Sequence, residues 1–264
     1  MSCLANIVPQ KPAFDVAEQY MTWQKWIEGG ATVLSITGTL LSFCSCYTGA
    51  WAIAFGGASV LLTISVFFVQ LRFATTYTEA EKIRRDGLID SAFGSRLADR
   101  GAEGYYDNEG VNEGLGKLLT TIHQNSFVSD RTVTAMYRKV ERLNVVAFII
   151  LLSVAVVSSV HSQAFIAILQ AFLSLSFLGK AIKLGNLKKG LEQVNSNCKL
   201  IWEDIGYADE GQLDLICQGR IIREAIRYET MLSYASIMLD SKIYLRQNDE
   251  ATDAWHDLRK RFNI

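Results

Sequence analysis

From Gly29 to Leu71 the chain carries no charged side chain. That run is about forty residues, twice the ~20 apolar residues that one helix needs to cross the hydrocarbon core of a bilayer. Two crossings are therefore expected, with the break at Cys46-Tyr47-Thr48-Gly49-Ala50, where a glycine and polar neighbours favour a tight reversal. A second run, Leu143 to Gly179, holds only His161 as an ionisable group, and Ser158-Ser159-Val160-His161-Ser162-Gln163 divides it in the same way. Buried helices of soluble domains seldom stay this apolar beyond ~14 residues and do not come in back-to-back pairs. The expectation is an all-α integral membrane protein with four transmembrane helices in two hairpins, near 31–46, 51–71, 143–159 and 164–180, plus a helical cytoplasmic region.

Orientation follows from the basic residues at the span ends. Arg72, Lys82, Arg84 and Arg85 follow the second span, Arg138, Lys139 and Arg142 precede the third, and Lys180, Lys183, Lys188 and Lys189 follow the fourth, whereas neither hairpin tip has a Lys or Arg. The positive-inside rule then places the tips outside and both termini in the cytoplasm. The chain divides into an N-terminal cytoplasmic segment with an amphipathic helix (1–30), a first hairpin (31–71), a helical insert with a glycine-rich loop (72–142), a second hairpin (143–180) and C-terminal cytoplasmic helices (181–264). No basic leader or cleavage site precedes the first apolar run, so no signal peptide is expected.

The cytoplasmic segments read as helices broken by turn chemistry. Residues 72–92 extend the second span, and the glycines and acidic residues from Gly101 to Gly110 favour turns. Helical spacing returns from Glu113 to Gln124, and Ser129 or Asp130 is placed to cap a new helix running into the third span. Past the fourth span, Lys188–Tyr207 and a long segment from Leu213 to Leu245 have helical spacing. Leu215, Ile216, Ile222, Ala225, Ile226, Met231, Leu232 and Ile237 supply the apolar face of the long one. Asn248 or Asp249 then caps a short last helix with Trp255 and Leu258, and no segment alternates as a strand does.

Several chemistries have no residues to carry them. With 26 Lys+Arg against 27 Asp+Glu, the whole molecule has no electrostatic affinity for duplex DNA or an anionic surface. The five cysteines form no CxxC, the three histidines stand in no metal spacing, and Gly110 to Leu118 lacks both the spacing and the hydroxyl of a phosphate loop. No catalytic activity, metal or cofactor is expected.

Four constellations carry more information. Ser35, Thr39 and Ser42, with Cys46, recur at steps of four, three and four, on one helical face that either packs against another helix or lines a pore. Gln163, Gln170 and Ser174 make a second stripe, and Gln170 near mid-membrane requires a partner or a water-filled cavity. Tyr20, Trp23 and Trp26 belong to an amphipathic stretch that serves as an interfacial anchor or as a gating helix at a channel mouth. Arg220, Arg223 and Arg227 either present guanidinium forks to phosphates or pair with nearby Glu224 and Glu229, while Tyr105 and Tyr106 have the rings to stack on nucleotide bases.

Ile89-Asp90-Ser91-Ala92-Phe93-Gly94, then Leu97-Ala98, then Glu103-Gly104-Tyr105-Tyr106-Asp107-Asn108-Glu109, set between two transmembrane hairpins, resembles the bacterial SMODS-associated four-transmembrane effector family of antiphage defence. The likeness in architecture covers nearly the whole chain, and the motif runs from Ile89 to Glu109. The resemblance implies a homo-oligomeric, pore-like protein of the bacterial inner membrane that damages the membrane during infection. It also implies control by a nucleotide or oligonucleotide from a partner nucleotidyltransferase. We take the oligomer as a tetramer around a polar axis. The family's ligand contacts do not transfer residue by residue, so the residues above rest on chemistry alone. A non-conducting scaffold that recruits a partner through the cytoplasmic helices is the alternative. A transporter is disfavoured because these spans contain no acidic or basic residue to couple ions.

Overall fold

A computed structural model describes residues 10–43, 49–98, 108, 110–157, 177–206 and 213–262. Six α-helices make up the described fold: α1 (Lys11–Phe43), α2 (Gly49–Phe93), α3 (Leu115–Val157), α4 (Phe177–Gly206), α5 (Leu215–Ala235) and α6 (Ser241–Phe262). No strand occurs among the described residues, and the protein is all-α. Among these residues one helical segment, Ile53–Phe93, is long and apolar enough to cross a membrane. The window that qualifies it has a mean hydropathy of 1.9 and none of it is buried.

Three helices differ from their expected extents. The amphipathic stretch Phe14–Glu28 and the first apolar run form one unbroken helix, α1. Ser129 and Asp130 lie inside α3 and cap nothing, because the segment before them is already helical and the backbone carries on through them. The segment read as one helix from Leu213 to Leu245 is two. Ser236, in the left-handed region at φ 46°, donates its N–H to Leu232 O and ends α5, and Asp240 Oδ1 accepts the N–H groups of Lys242 and Ile243 to start α6. Neither Gly nor Pro stands between them, so the usual breaker was absent from the sequence. Asn248 and Asp249 fall within α6.

The chain forms two compact units: Met1–Ala13 with Thr78–Arg138 and Lys183–Ile264, and Phe14–Tyr77 with Lys139–Ile182. In the first, α4 buries Leu184, Leu187, Leu191, Val194, Cys198 and Ile201, a strict alternation of three- and four-residue steps that forms the seam of a helical bundle. Leu119, Ile122 and Val133 of α3 and Ile221 and Tyr228 of α5 are buried too. Each such aliphatic side chain contributes about 1.5–3 kcal/mol by leaving water. A Cβ on Gly185 would stand 3.3 Å from the Tyr137 ring and one on Gly190 would run into Met231 Sδ, so these glycines set how near α3 and α5 approach α4.

The described first part of the motif behind the family resemblance, Ile89 to Ala98, is a helix stop followed by a short tied segment. Gly94 adopts φ +63° and donates its N–H to Asp90 O, a left-handed C-cap that ends α2. The Asp90 carboxylate then accepts from Ser95 Oγ (2.7 Å) and from the N–H groups of Leu97 and Ala98 (both 2.8 Å). Its slight burial works upward, but these three donors outweigh it and hold the carboxyl below its ordinary value. Gly114 N–H donates to Ala92 O at 2.7 Å, joining the start of α3 to the end of α2.

In the second unit α1 and α2 lie antiparallel. Phe14 meets Tyr77 edge-on (5.9 Å), Ser59 Oγ donates to Ala31 O (3.1 Å), Gly30 faces Leu62, and Gly38 sits where a Cβ would be 3.2 Å from Phe55 Cβ. Small residues on α1 allow the close approach. The outer surface is apolar: Val60, Leu61, Ile64, Phe67, Phe68 and Leu71 of α2 are exposed, as are Leu143, Val145, Val146, Phe148, Ile149, Ile150 and Leu152 of α3.

Candidate functional site

The arginine-bearing helix α5 has two apolar sides. Ile221, Tyr228 and Ala235 are buried on one, with Glu224 among them at 0% exposure, while Leu215, Ile222 and Ile226 are exposed on the other. Of the expected apolar face, Leu215, Ile216, Ile222 and Ile226 are exposed, while Ala225, Met231 and Leu232 are half-buried and Met231 lies against Gly190 of α4. Periodicity alone does not choose between two apolar stripes on one helix, and the one that is buried carries Tyr228, which lies beside Arg84 of α2.

The three arginines are engaged with carboxylates of the same chain. Arg220 pairs with Asp204 of α4, Arg223 Nε lies 3.1 Å from Glu224 Oε1, and Arg227 Nη1 is 3.7 Å from Glu224 Oε2. Glu224 is so placed that its charge, after burial itself, helps to push the Cys198 thiol up to about 12. Arg223 keeps 61% of its side chain exposed against 33% for Arg220 and 37% for Arg227, so it is the guanidinium with most room for a further anion. Three guanidiniums against two carboxylates leave a modest local excess of positive charge.

Glu229, expected as a partner of these arginines, turns to α2 instead. Its Oε2 accepts from Arg84 Nη2 (2.6 Å) and Arg85 Nε (3.2 Å), while Arg84 also holds Glu81 Oε2 at 2.8 Å and lies 5.8 Å from the centre of the Tyr228 ring. Arg85 Nη2 donates to Ser233 Oγ at 3.0 Å. Burial works against the Arg84 charge, but Tyr228, Glu229 and Glu81 together hold its pKa above the ordinary value. Sequence reading missed this network because its two halves, on α2 and α5, are about 145 residues apart. Arg84-Arg85 gave the only signal, and the positive-inside rule had already accounted for it.

A second buried polar group joins α3, α4 and α6. His123 Nε2 lies 2.9 Å from Asn195 Oδ1, and its ring meets Trp255 edge-on at 5.0 Å, with Phe127 6.1 Å from Trp255. Asn108, buried at the end of the glycine-rich loop, donates through Nδ2 to Thr121 Oγ1 and Gln124 Oε1.

The remaining candidates lie in the second unit or outside the described residues. Ser35 is exposed on α1, between the levels of Ala31 and Gly38. Thr39 and Ser42 continue α1, and their side chains lie outside what the structure describes. Tyr20 and Trp23 meet edge-on at 5.8 Å, with Trp23 57% and Trp26 79% exposed. Tyr105, Tyr106, Gln163, Gln170, Ser174 and Cys46 lie outside the described residues. No group of three or more His, Cys, Asp or Glu able to hold a metal occurs among the described residues. Compared with family models, curated proteins and solved structures, the chain matches none.

Proposed function

We propose that this protein is a pore-forming effector of the bacterial inner membrane in a nucleotide-controlled antiphage defence system, related to the SMODS-associated four-transmembrane family. The observation that carries the membrane part is the apolar surface left exposed on α2 and α3. Val60 to Leu71 and Leu143 to Leu152 present Leu, Ile, Val and Phe on several sides of their helices, an arrangement that lipid stabilises and water does not. At 1.5 Å per residue α2 is about 68 Å long and α3 about 65 Å, roughly twice the ~30 Å hydrocarbon core. Each thus has length for a span and a cytoplasmic arm, and α4 supplies the arm of the fourth span. In this reading four spans form two hairpins with both termini cytoplasmic, and copies assemble as a tetramer around a polar axis.

Control belongs to the cytoplasmic helices. A nucleotide or oligonucleotide from a partner nucleotidyltransferase binds at Arg220, Arg223 and Arg227, with Tyr105 and Tyr106 stacking on its bases, and shifts the gate by binding one state more tightly than the other. Its phosphates take over guanidinium donors now directed at Asp204 and Glu224. No covalent chemistry, metal or cofactor enters this mechanism. Ion flux from liposomes containing the purified protein distinguishes a pore from a non-conducting scaffold. Replacing Arg220, Arg223 and Arg227 together by Ala is expected to abolish control by oligonucleotide while leaving assembly intact. Unchanged oligonucleotide binding would exclude this patch.

A further inference from the structure

The contacts between α1 and α2 share one antiparallel register, in which Phe14 meets Tyr77, Gly30 meets Leu62, Ala31 meets Ser59 and Gly38 meets Phe55. In that register Glu28 stands level with Thr63. Leu61, Ile64, Phe67, Phe68 and Leu71 are exposed around and below that level, so the apolar surface of α2 continues for about 12 Å past Glu28 before Arg72. Read along the sequence, Glu28 lies just outside the first apolar run. Read across the helix pair, it is inside the apolar band.

A carboxylate at such depth is costly unless it faces a partner or water. Glu28 is half-buried, its Oε1 accepts from Gln24 Nε2 at 2.7 Å, and among the described residues no Lys or Arg pairs with it. The amide does not neutralise it. Lys25 is exposed nearly one turn nearer the start of α1, and its long stem lets the ammonium reach headgroup level, which the short Glu28 side chain does not permit. Gln24, Glu28, Thr32 and Ser35 follow steps of four, four and three on one side of α1, and the exposed Ser35 continues that side.

We propose that Glu28 lines the conduction path and, repeated by each copy around the axis, forms a ring of carboxylates that admits hydrated monovalent cations and excludes anions. This rests on the pore reading above and adds an ion class and a residue to it.

The test is the reversal potential of the full-length protein in phosphatidylcholine liposomes under a potassium chloride gradient. Wild-type current is expected to prefer potassium over chloride. Glu28→Gln is expected to lower that permeability ratio to about one, and Glu28→Lys to invert it. A Glu28→Cys channel, already folded and reconstituted, is expected to recover cation preference with a sulfonate-bearing thiol reagent and to lose it with a trimethylammonium one, against wild-type protein given the same reagents. Current without cation preference, or a preference that these changes leave unaltered, overturns the assignment and leaves the pore intact. No wild-type current at all removes the pore reading, and this assignment with it.

Discussion

His123 has no exposed surface, and an amide oxygen, Asn195 Oδ1, lies 2.9 Å from its Nε2. An amide oxygen only accepts, so Nε2 carries the proton of a neutral ring. Burial, helped by the nearby Lys199 charge and opposed by the Asn195 hydrogen bond, lowers the pKa from 6.5 to about 4. The folded state therefore resists protonation that the unfolded chain accepts. The stability this residue contributes is complete above pH 6.5 and is lost as pH falls to about 4, a change of about 3 kcal/mol. Acid unfolding of the detergent-solubilised protein is expected to include that loss, and His123→Gln, uncharged throughout, is expected to lack it. Identical acid limbs for the two proteins would place the sensitivity elsewhere. At the same scale, Arg84, Glu81, Glu229 and Arg85 form a network in which each charge has its opposite. Removing one member would leave a partly buried charge uncompensated, which costs more than an exposed pair is worth.

At the scale of elements, the boundaries are set by backbone geometry at a few positions. Gly94 ends α2 at φ +63°, and a Cβ there would meet Glu113 Oε2 at 2.6 Å. The exposed Glu113 carboxylate can swing aside, so the cost of Gly94→Ala is that of the left-handed backbone, expected at about 1–2 kcal/mol. Gly116, in the first turn of α3, has nothing within 4 Å of where a methyl group would stand and no left-handed φ, so Gly116→Ala is expected to stabilise by about 0.5–1 kcal/mol. Thermal or denaturant midpoints of the two variants check both signs. Shifts in the same direction would mean that conformation does not govern this junction. The turn at Ser236 obeys the same physics with less notice, since a serine occupies the left-handed position that glycine usually takes and the sequence offers no breaker there.

For the whole molecule, the two units separate chemistries. One is a bundle with a buried seam and buried polar networks, and the other carries bare apolar helix surfaces. If lipid covers those surfaces, the protein remains in the membrane pellet after an alkaline carbonate wash and needs detergent to leave it. Alkaline phosphatase fused at Tyr47 or Ser162 is then active outside the cytoplasm, while a fusion at the C-terminus is inactive. Release by carbonate, or an active C-terminal fusion, contradicts the proposed topology.

Charge distribution along one dimension determined that the chain is helical, where its apolar runs lie and which residues flank them. Helical hydrogen bonding is local, and an uncharged stretch of that length has few other ways to satisfy its backbone in an apolar surrounding. What required the tertiary structure was the choice among faces and partners. Leu215, Ile222 and Ile226 were legible as an apolar stripe, yet they stay exposed and the side with Ile221 and Tyr228 is the one buried. Arg220, Arg223 and Arg227 were legible as a basic set, but Asp204 and Glu224 claim them, and Glu229 leaves for Arg84 and Arg85. The level of Glu28 within the apolar band appears only when α1 is laid against α2, because depth is a property of two helices in register and not of one read along its length.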